Sequence, residues 1–360
     1  MASITVPIEA PQGENLRPLN ILHDLPQVAD LIELCFASTM DDDGQSYLQQ
    51  MRRAGHDQGF LNWAGKMVDS TSMPLAGFVW EENAKIIGNV SLVYQTYAGK
   101  KMAMLANIAT HPDYRRRGIG RSLTEKAMVA ARQKGARDLW LQVRDDNPTA
   151  IKIYSDLGFS ERARRTTYYS GPGGSQPEAR SPLNPGVPSS QPGAGDVDPG
   201  AGIIISTPLN RHWPQQYAWL ERAHPAELSW YAHWDWKTLS PGLGNWLRRI
   251  LDGTEGRQWG AIRNGNLLAV VHWMLLQRSS NALWPAAPLD GDGIGLSLAL
   301  EAARRDLSHY RRLTLEYPAG EMQRAIEAAG FSPSRTLLWM HAGATPGSVA
   351  RMNSRKERSA

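Results

Sequence analysis

Arg115-Arg116-Arg117-Gly118-Ile119-Gly120 is the stretch of this 360-residue chain whose residue types and spacing first suggest chemistry. It follows an apolar run ending in Ile108, Ala109 and Thr110 and a His111-Pro112 turn. It precedes a helical pattern with Leu123 and Ala127 on one face. A strand, a glycine-rich turn and a helix in that order make an anion cradle. Glycines let the backbone pass close to a ligand, successive N–H groups converge on phosphate oxygens, and the helix N-terminus adds partial positive charge. The same residues also fit plainer readings: a pair of helix-start glycines, with the arginines a solvated basic face or a nonspecific nucleic-acid patch. Only the placement of the arginines directly before the glycines raises the phosphate reading.

A second block, LWLQVRDDNPTAIKIYSDLGF, reads as a strand followed by a helix. Asn147 is its N-cap, Pro148 its first helical residue, and Gly158 lies just past its end. Taken alone, Asn147 is a cap and Tyr154 a core aromatic. The two blocks together resemble the GNAT superfamily of acetyl-CoA-dependent N-acetyltransferases. The family signature R/Q-x-x-G-x-G/A is matched by Arg115, Gly118 and Gly120, and its companion N-x-x-A-x-x-x-Y-x-x-x-G-F by Asn147, Ala150, Tyr154, Gly158 and Phe159. The resemblance covers residues 15–170.

That resemblance implies acetyl-CoA as cosubstrate and an amine acceptor that the sequence does not identify; histidine spacing gives no reason to expect a metal. Ile108, Ala109 and Thr110 fall on the splayed strand whose backbone holds the pantetheine arm and the thioester carbonyl. Arg115, Arg116, Arg117, Gly118, Ile119, Gly120 and Arg121 fall on the pyrophosphate turn. Asn147 falls on a cofactor hydrogen bond, and Tyr154 on the acid that protonates the departing thiolate. Amine and thioester held together react by direct attack, with no covalent enzyme intermediate. Many members carry a Glu five residues before the Asn as general base, and Gln142 stands there in this chain. Gln takes no proton at pH 7. His111, Asp145, Asp146 or a water chain are the remaining candidates, and the base stays unassigned. Asp41-Asp42-Asp43, in the region that lines the acceptor site in this family, is either an attractor for a cationic amine or a solvated loop.

The elements that must position these residues are legible in the periodicity. Asp24 with Gln27 predicts a capping box ahead of a helix whose stripe is Val28, Leu31, Ile32 and Cys35. A second helical region spans 45–68. A hairpin turns at Glu82-Asn83-Ala84-Lys85. Strands follow at Met102–Thr110, Leu139–Val143 and Arg164–Tyr169, with helices opening at Gly118 and Asn147. The order predicts an α/β sheet, and the resemblance implies the GNAT fold, α/β (α+β), a mixed central sheet flanked by helices.

This fold is expected twice. Residues 170–202 are dominated by Gly, Pro and Ser and predict a linker or disordered loop. Beyond it, Gly118, Gly120, Leu123 and Ala127 recur 175 residues on as Gly293, Gly295, Leu298 and Ala302. Leu141, Gly158 and Phe159 recur 172 residues on as Leu313, Gly330 and Phe331. A hairpin turning at Asn264-Gly265 precedes the second helix. The chemistry is degraded there: Arg115 is matched by Asp290, Arg117 by Asp292, Asn147 by Ala319 and Tyr154 by Ile326, so this copy is expected to bind CoA poorly or not at all. The domains read as 15–169, catalytic; 170–202, linker; 203–343, degenerate; and 344–360, a basic disordered tail. Ten of the 13 tryptophans lie from Trp213 onward. The cluster Trp230, Trp234, Trp236 suits core packing, an acceptor pocket or an inter-domain surface. His224, His233 and His272 lack metal-ligand spacing.

Composition bounds the partners. Net charge is +4, a single cysteine (Cys35) leaves no intramolecular disulfide, and no run approaches the ~18–20 apolar residues of a membrane span. With no secretory signal, the expectation is a cytoplasmic protein, a monomer or homodimer, that binds neither membrane nor nucleic acid. The leading function is acetyl transfer to a primary amine of a small molecule or protein. The competing one is noncatalytic acyl-CoA binding or sensing.

Overall fold

Trp80, Ile87 and Leu92 alternate with Val79 and Ile86, so the two faces of one hairpin feed different apolar clusters. The computed structural model in which these contacts occur describes residues 15–21, 23–37, 40, 42–54, 76–97, 99–171, 200–229, 236–241, 256–274 and 281–343. Residues 172–199, within the predicted linker, residues 344–360, the predicted tail, and Asp41, Trp230, His233 and Trp234 lie outside them.

In chain order the first half contains β1 (Leu16–Pro18), α1 (Leu25–Phe36), α2 (Asp42–Ala54), β2 (Ala76–Glu82), β3 (Lys85–Tyr97), β4 (Lys100–Thr110), α3 (Ile119–Gln133), β5 (Asp138–Arg144), α4 (Pro148–Asp156) and β6 (Ser160–Ser170). The second contains β7 (Ile203–Ser206), α5 (Trp213–Ala223), α6 (Ala226–Ser229), β8 (Gly256–Arg263), β9 (Asn266–Met274), β10 (Ala282–Ala286), α7 (Ile294–Asp306), β11 (Thr314–Pro318), α8 (Gln323–Ala328) and β12 (Phe331–Ala342). Both are mixed: β4 and β5 run parallel, as do β10 and β11, and the hairpins β2–β3 and β8–β9 are antiparallel.

The helix predicted after Asp24 forms as α1, but its capping box does not. Asp24 has helical dihedrals, and its carboxylate accepts from Arg17 at 2.6 and 3.0 Å and from the Asn20 N–H at 2.7 Å. Gln27 reaches the sheet instead, its Oε1 accepting from the Ile86 N–H at 3.2 Å. A nearly buried carboxylate gains more from a guanidinium than from a helix N–H, and Asp24 with Glu81 raises Arg17 above its ordinary value. The hairpin turns where expected, with Asn83 and Ala84 at φ 53° and 59°, as a tight two-residue turn requires.

The chain divides into two compact units, Met1–Arg162 with Leu338–Ala360, and Ala163–Leu337. The linear division at 169 and 203 differs from these units at two strands. Leu338, Met340 and Ala342 bury in the core of the first unit beside Leu139 and Leu141, while Tyr168 buries in that of the second beside Leu313 and Leu315. The strand that follows each helix-containing half thus ends in the other unit's core.

The second unit repeats the first's order of hairpin, strand, helix, strand, helix, strand. Gly293 caps α7 at φ 77° as Gly118 caps α3 at φ 79°, and Gly330 and Gly158 follow α8 and α4 at φ 82° and 92°. The last parallel pair is Leu105↔Leu141 in the first unit and Leu283↔Leu315 in the second, so Leu141 corresponds to Leu315 rather than Leu313. The deletion falls mostly after the strand, where α8 is six residues against nine for α4. Glu316, not a neutral residue, is therefore the counterpart of Gln142.

Gly88 sets how closely α3 approaches the sheet. A Cβ there would lie 2.8 Å from Ile119 Cγ2, 2.9 Å from Leu123 Cδ1 and 3.1 Å from Trp80 Cβ. Gly88→Val is expected to destabilise the protein by ~1–3 kcal/mol through overpacking, read as a lowered denaturation midpoint with an unchanged m-value.

Candidate functional site

Strands β4 and β5 pair from Met102↔Asp138 to Leu105↔Leu141 and then part, although they continue to Thr110 and Arg144. The parting coincides with a bulge. Asn107 has φ 51°, and the β3–β4 register jumps between Ser91↔Ala106 and Asn89↔Ala109. Past it, Ile108, Ala109 and Thr110 form a stretch of β4 that pairs only towards β3. A polar network that the sequence reading missed surrounds the bulge: Asn89 Nδ2 donates to the Asn107 carbonyl at 2.9 Å, and Asn107 Nδ2 donates to the Tyr47 hydroxyl at 2.9 Å. Burial pushes the Tyr47 hydroxyl up to about 12. Three polar residues inside otherwise apolar strands, Asn89, Ser91 and Asn107, were its signal, because Asn is depleted in strands.

Beyond β4, one 3-10 turn (Pro112–Tyr114) leads into the arginine run. Arg115, Arg116 and Arg117 are exposed, and Arg116 at φ 64° with Gly118 at φ 79° turns successive N–H groups to one side at the start of α3. Ile119 contributes backbone only, its side chain being 2% exposed in the core. A Cβ on Gly120 would sit 3.5 Å from Thr110 Oγ1, so the turn lies directly against the end of β4. Cys35 Sγ donates to the Thr110 carbonyl at 3.4 Å; burial pushes its thiol up, and Arg115 beside it pulls the other way. Arg117 pairs with Glu82 at 3.1 Å and Arg121 with Glu125 at 3.0 Å.

Asn147 is the N-cap of α4, with Oδ1 accepting from the Ala150 N–H at 3.1 Å. Tyr154 lies in the same apolar cluster as Leu105, Leu141 and Val143, against which Ile108 packs, and burial raises its hydroxyl well above the ordinary value. Among the base candidates, Asp146 is held below the usual carboxylate range by its hydrogen bond to Arg144, at 2.6 Å, and is a weakened base. His111 Nδ1 accepts from the Asp113 N–H at 3.3 Å. Gln142 is exposed.

In the second unit β10 and β11 also part, after Leu283↔Leu315, but side chains hydrogen-bond the carbonyls beyond that point. The Pro285 carbonyl accepts from His224 Nε2 at 2.8 Å, the Ala287 carbonyl from Arg222 at 2.8 Å and the Glu316 carbonyl from Arg165 at 3.1 Å. Burial and the adjacent Arg165 hold His224 well below the ordinary histidine value, so it stays neutral. The Asp292 carboxylate accepts from the Ile294 N–H at 3.0 Å, placing negative charge at the helix start. Trp236 is buried, its indole donating to the His224 carbonyl at 3.1 Å.

Known proteins share this architecture. The model of the acetyltransferase (GNAT) family matches residues 33–159. The ribosomal protein bS18-alanine N-acetyltransferase of Escherichia coli is 35% identical over an alignment covering 84% of that protein and 28% of this chain. A GCN5-related N-acetyltransferase from Sphaerobacter thermophilus is similar in fold, with a TM-score of 0.52 at 13% identity over 93% of this chain and 97% of that one. A tandem GNAT protein from the clavulanic acid biosynthesis pathway has a TM-score of 0.45 at 19% identity, covering 92% and 98%. No helix among the described residues is long and apolar enough to cross a membrane. Parted strands, glycine turn and sequence relationship together mean that the chain belongs to the GNAT acetyltransferase family.

Proposed function

We propose that the first unit transfers the acetyl group of acetyl-CoA to a primary amine by direct attack. The observation that carries this reading is the parting of β4 from β5 beside the Arg116–Gly118 turn, which leaves backbone donors and acceptors next to a cationic helix start. In this reading Ile108, Ala109 and Thr110 hold the pantetheine arm and thioester carbonyl, residues 115–121 hold the pyrophosphate, and Asn147 hydrogen-bonds the cosubstrate. Tyr154 donates the proton that the departing thiolate takes. The amine's proton passes to a base not assigned to a side chain. Retention of the amine close to the thioester supplies proximity, and the unpaired β4 N–H groups stabilise the developing oxyanion.

The name of the E. coli relative supports a protein amino group as acceptor, and an Ala-initiated peptide belongs in the test panel beside polyamines, aminoglycosides and amino acids. CoA release above the hydrolysis background with one of these is the expected result. Gln142, unable to serve as a base, favours the alternative of an acyl-CoA-binding protein without turnover; tight acetyl-CoA binding with no release across the panel would select it.

Only the first unit is expected to bind acetyl-CoA. In the second, Arg165, Arg222 and His224 already occupy the strand carbonyls and Asp292 the helix start. Titration calorimetry should give one acetyl-CoA per chain; two equivalent sites would overturn the assignment.

A further inference from the structure

Val90 and Leu92 of β3 bury in the cluster that includes Ile119 and Leu123 of α3, which turns Asn89 and Ser91 to the opposite face of the strand. Asn89 is 0% exposed and Ser91 1%, at positions that ordinarily hold apolar residues. A buried polar network costs stability unless its members satisfy one another, and one that does so fixes the local backbone closely. Here the fixed backbone is the bulge at Asn107. Asn89 Nδ2 donates to the Asn107 carbonyl at 2.9 Å and to Ser91 Oγ at 3.2 Å. Asn107 Nδ2 donates to the Tyr47 hydroxyl at 2.9 Å and lies 3.4 Å from Ser91 Oγ. Among the described residues, Tyr47 of α2 is the one member of this network outside β3 and β4.

The network holds residue 107 at two points, its carbonyl from β3 and its side chain from α2. A trans peptide is planar, so its N–H points opposite to its carbonyl. With the Asn107 carbonyl turned to Asn89 of β3, the Ile108 N–H is turned away from β3, to the side that β5 has left after Leu105↔Leu141. That N–H is among those taken above to stabilise the oxyanion. Asn107 stands at φ 51°, a conformation that asparagine tolerates at some cost, and its bond to Tyr47 opposes relaxation of the bulge. Burial pushes the Tyr47 hydroxyl up to about 12, so at neutral pH it is uncharged and does not take the amine's proton.

We propose that Tyr47 is a positioning residue: its hydroxyl, by holding the Asn107 amide, keeps the Ile108 N–H aimed at the thioester carbonyl of acetyl-CoA. The proposal rests on the reading that the first unit holds acetyl-CoA along β4. The test uses the full chain and acetyl-CoA labelled with carbon-13 at its carbonyl. In the parent, the resonance of the bound carbonyl should be displaced from its free position, as a hydrogen bond to the oxygen requires. Tyr47→Phe keeps the ring against the cluster of Leu48 and Met51, so it should fold, bind acetyl-CoA within about threefold of the parent and lose at least about half of that displacement. Asn107→Gly, which allows the positive φ and removes the amide, should do the same. With an acceptor from the panel, each should lower kcat at least about tenfold with little change in KM for acetyl-CoA. The double variant should be no slower than the slower single one, because Tyr47 acts through Asn107. A merely structural tyrosine would move the denaturation midpoint and neither the resonance nor kcat. Should Asn107→Gly fail to fold by circular dichroism, Tyr47→Phe decides alone. A parental resonance in Tyr47→Phe, additive losses in the double variant, or a parent resonance at the free position would each overturn the proposal. Acetyl-CoA binding without CoA release would defeat the transfer reading alone, and the resonance would still decide the role of Tyr47.

Discussion

Tyr154→Phe is expected to lower kcat ~10²-fold or more while acetyl-CoA affinity holds. The substitution preserves what the ring does in the fold. Tyr154 is 7% exposed, and its ring stands edge-to-face to Phe159 at 6.3 Å within the cluster that includes Leu141 and Val143. Phenylalanine makes the same contacts, so a purely structural tyrosine predicts a stability change of ~1 kcal/mol and near-parental turnover. An acid that protonates the thiolate predicts the loss, because that bond is made mainly in the transition state. Burial keeps the hydroxyl protonated, as a donor must be, while making it a weaker acid. Burial raises the hydroxyl's pKa, so the proton stays on the oxygen throughout the neutral range, and no descending limb of the kcat profile below about pH 10 should come from this group. Ile326 is the internal control: it is 0% exposed in the second unit's core. Ile326→Ala should cost ~2–5 kcal/mol of stability and leave the chemistry of the first unit intact. Turnover of Tyr154→Phe above about half the parent rate, with chemistry rate-limiting, removes Tyr154 from the proposed mechanism and leaves water as the proton source.

Gly120→Asp should reduce acetyl-CoA affinity by at least about 100-fold, because a carboxylate replaces open backbone where the pyrophosphate is proposed to lie. Misfolding does not account for the expected loss. The added Cβ meets only Thr110 Oγ1, at an ordinary 3.5 Å, and an acidic residue in the first turn of a helix is favourable to the helix dipole. The variant should therefore melt near the parent temperature. The second unit already carries this device, since Asp292 sits at the start of α7. Asp292→Asn alone is not expected to restore binding there, because His224, Arg222 and Arg165 still bridge the strands. Undiminished affinity of Gly120→Asp in calorimetry would move the pyrophosphate away from residues 115–121.

Local pattern determined much of this protein without any help from distant residues. The Asn83-Ala84 turn, the Gly118 start of α3, the Asn147 cap with its Ala150 bond and the duplicated glycines were legible because each depends on dihedrals and hydrogen bonds within a few positions. The family signatures lie in such segments, which is why the resemblance could name the candidate turn and Tyr154. What the tertiary structure decided involves partners far apart in the chain. Asp24 abandons its expected cap for Arg17, and Gln27 crosses to Ile86, because burial makes the longer-range partner the stronger one. The Asn107 bulge and the parting of β4 from β5 exist only once three strands are in register. The bridging of the second unit joins Arg165 to His224 and to Glu316, the latter 151 residues away, and the exchange of strand ends places Leu338 with Leu141. Periodicity states which face of an element is apolar; which apolar face or buried donor it meets is settled by packing, where each group takes the partner that leaves the fewest polar atoms unmatched and the least apolar surface wet.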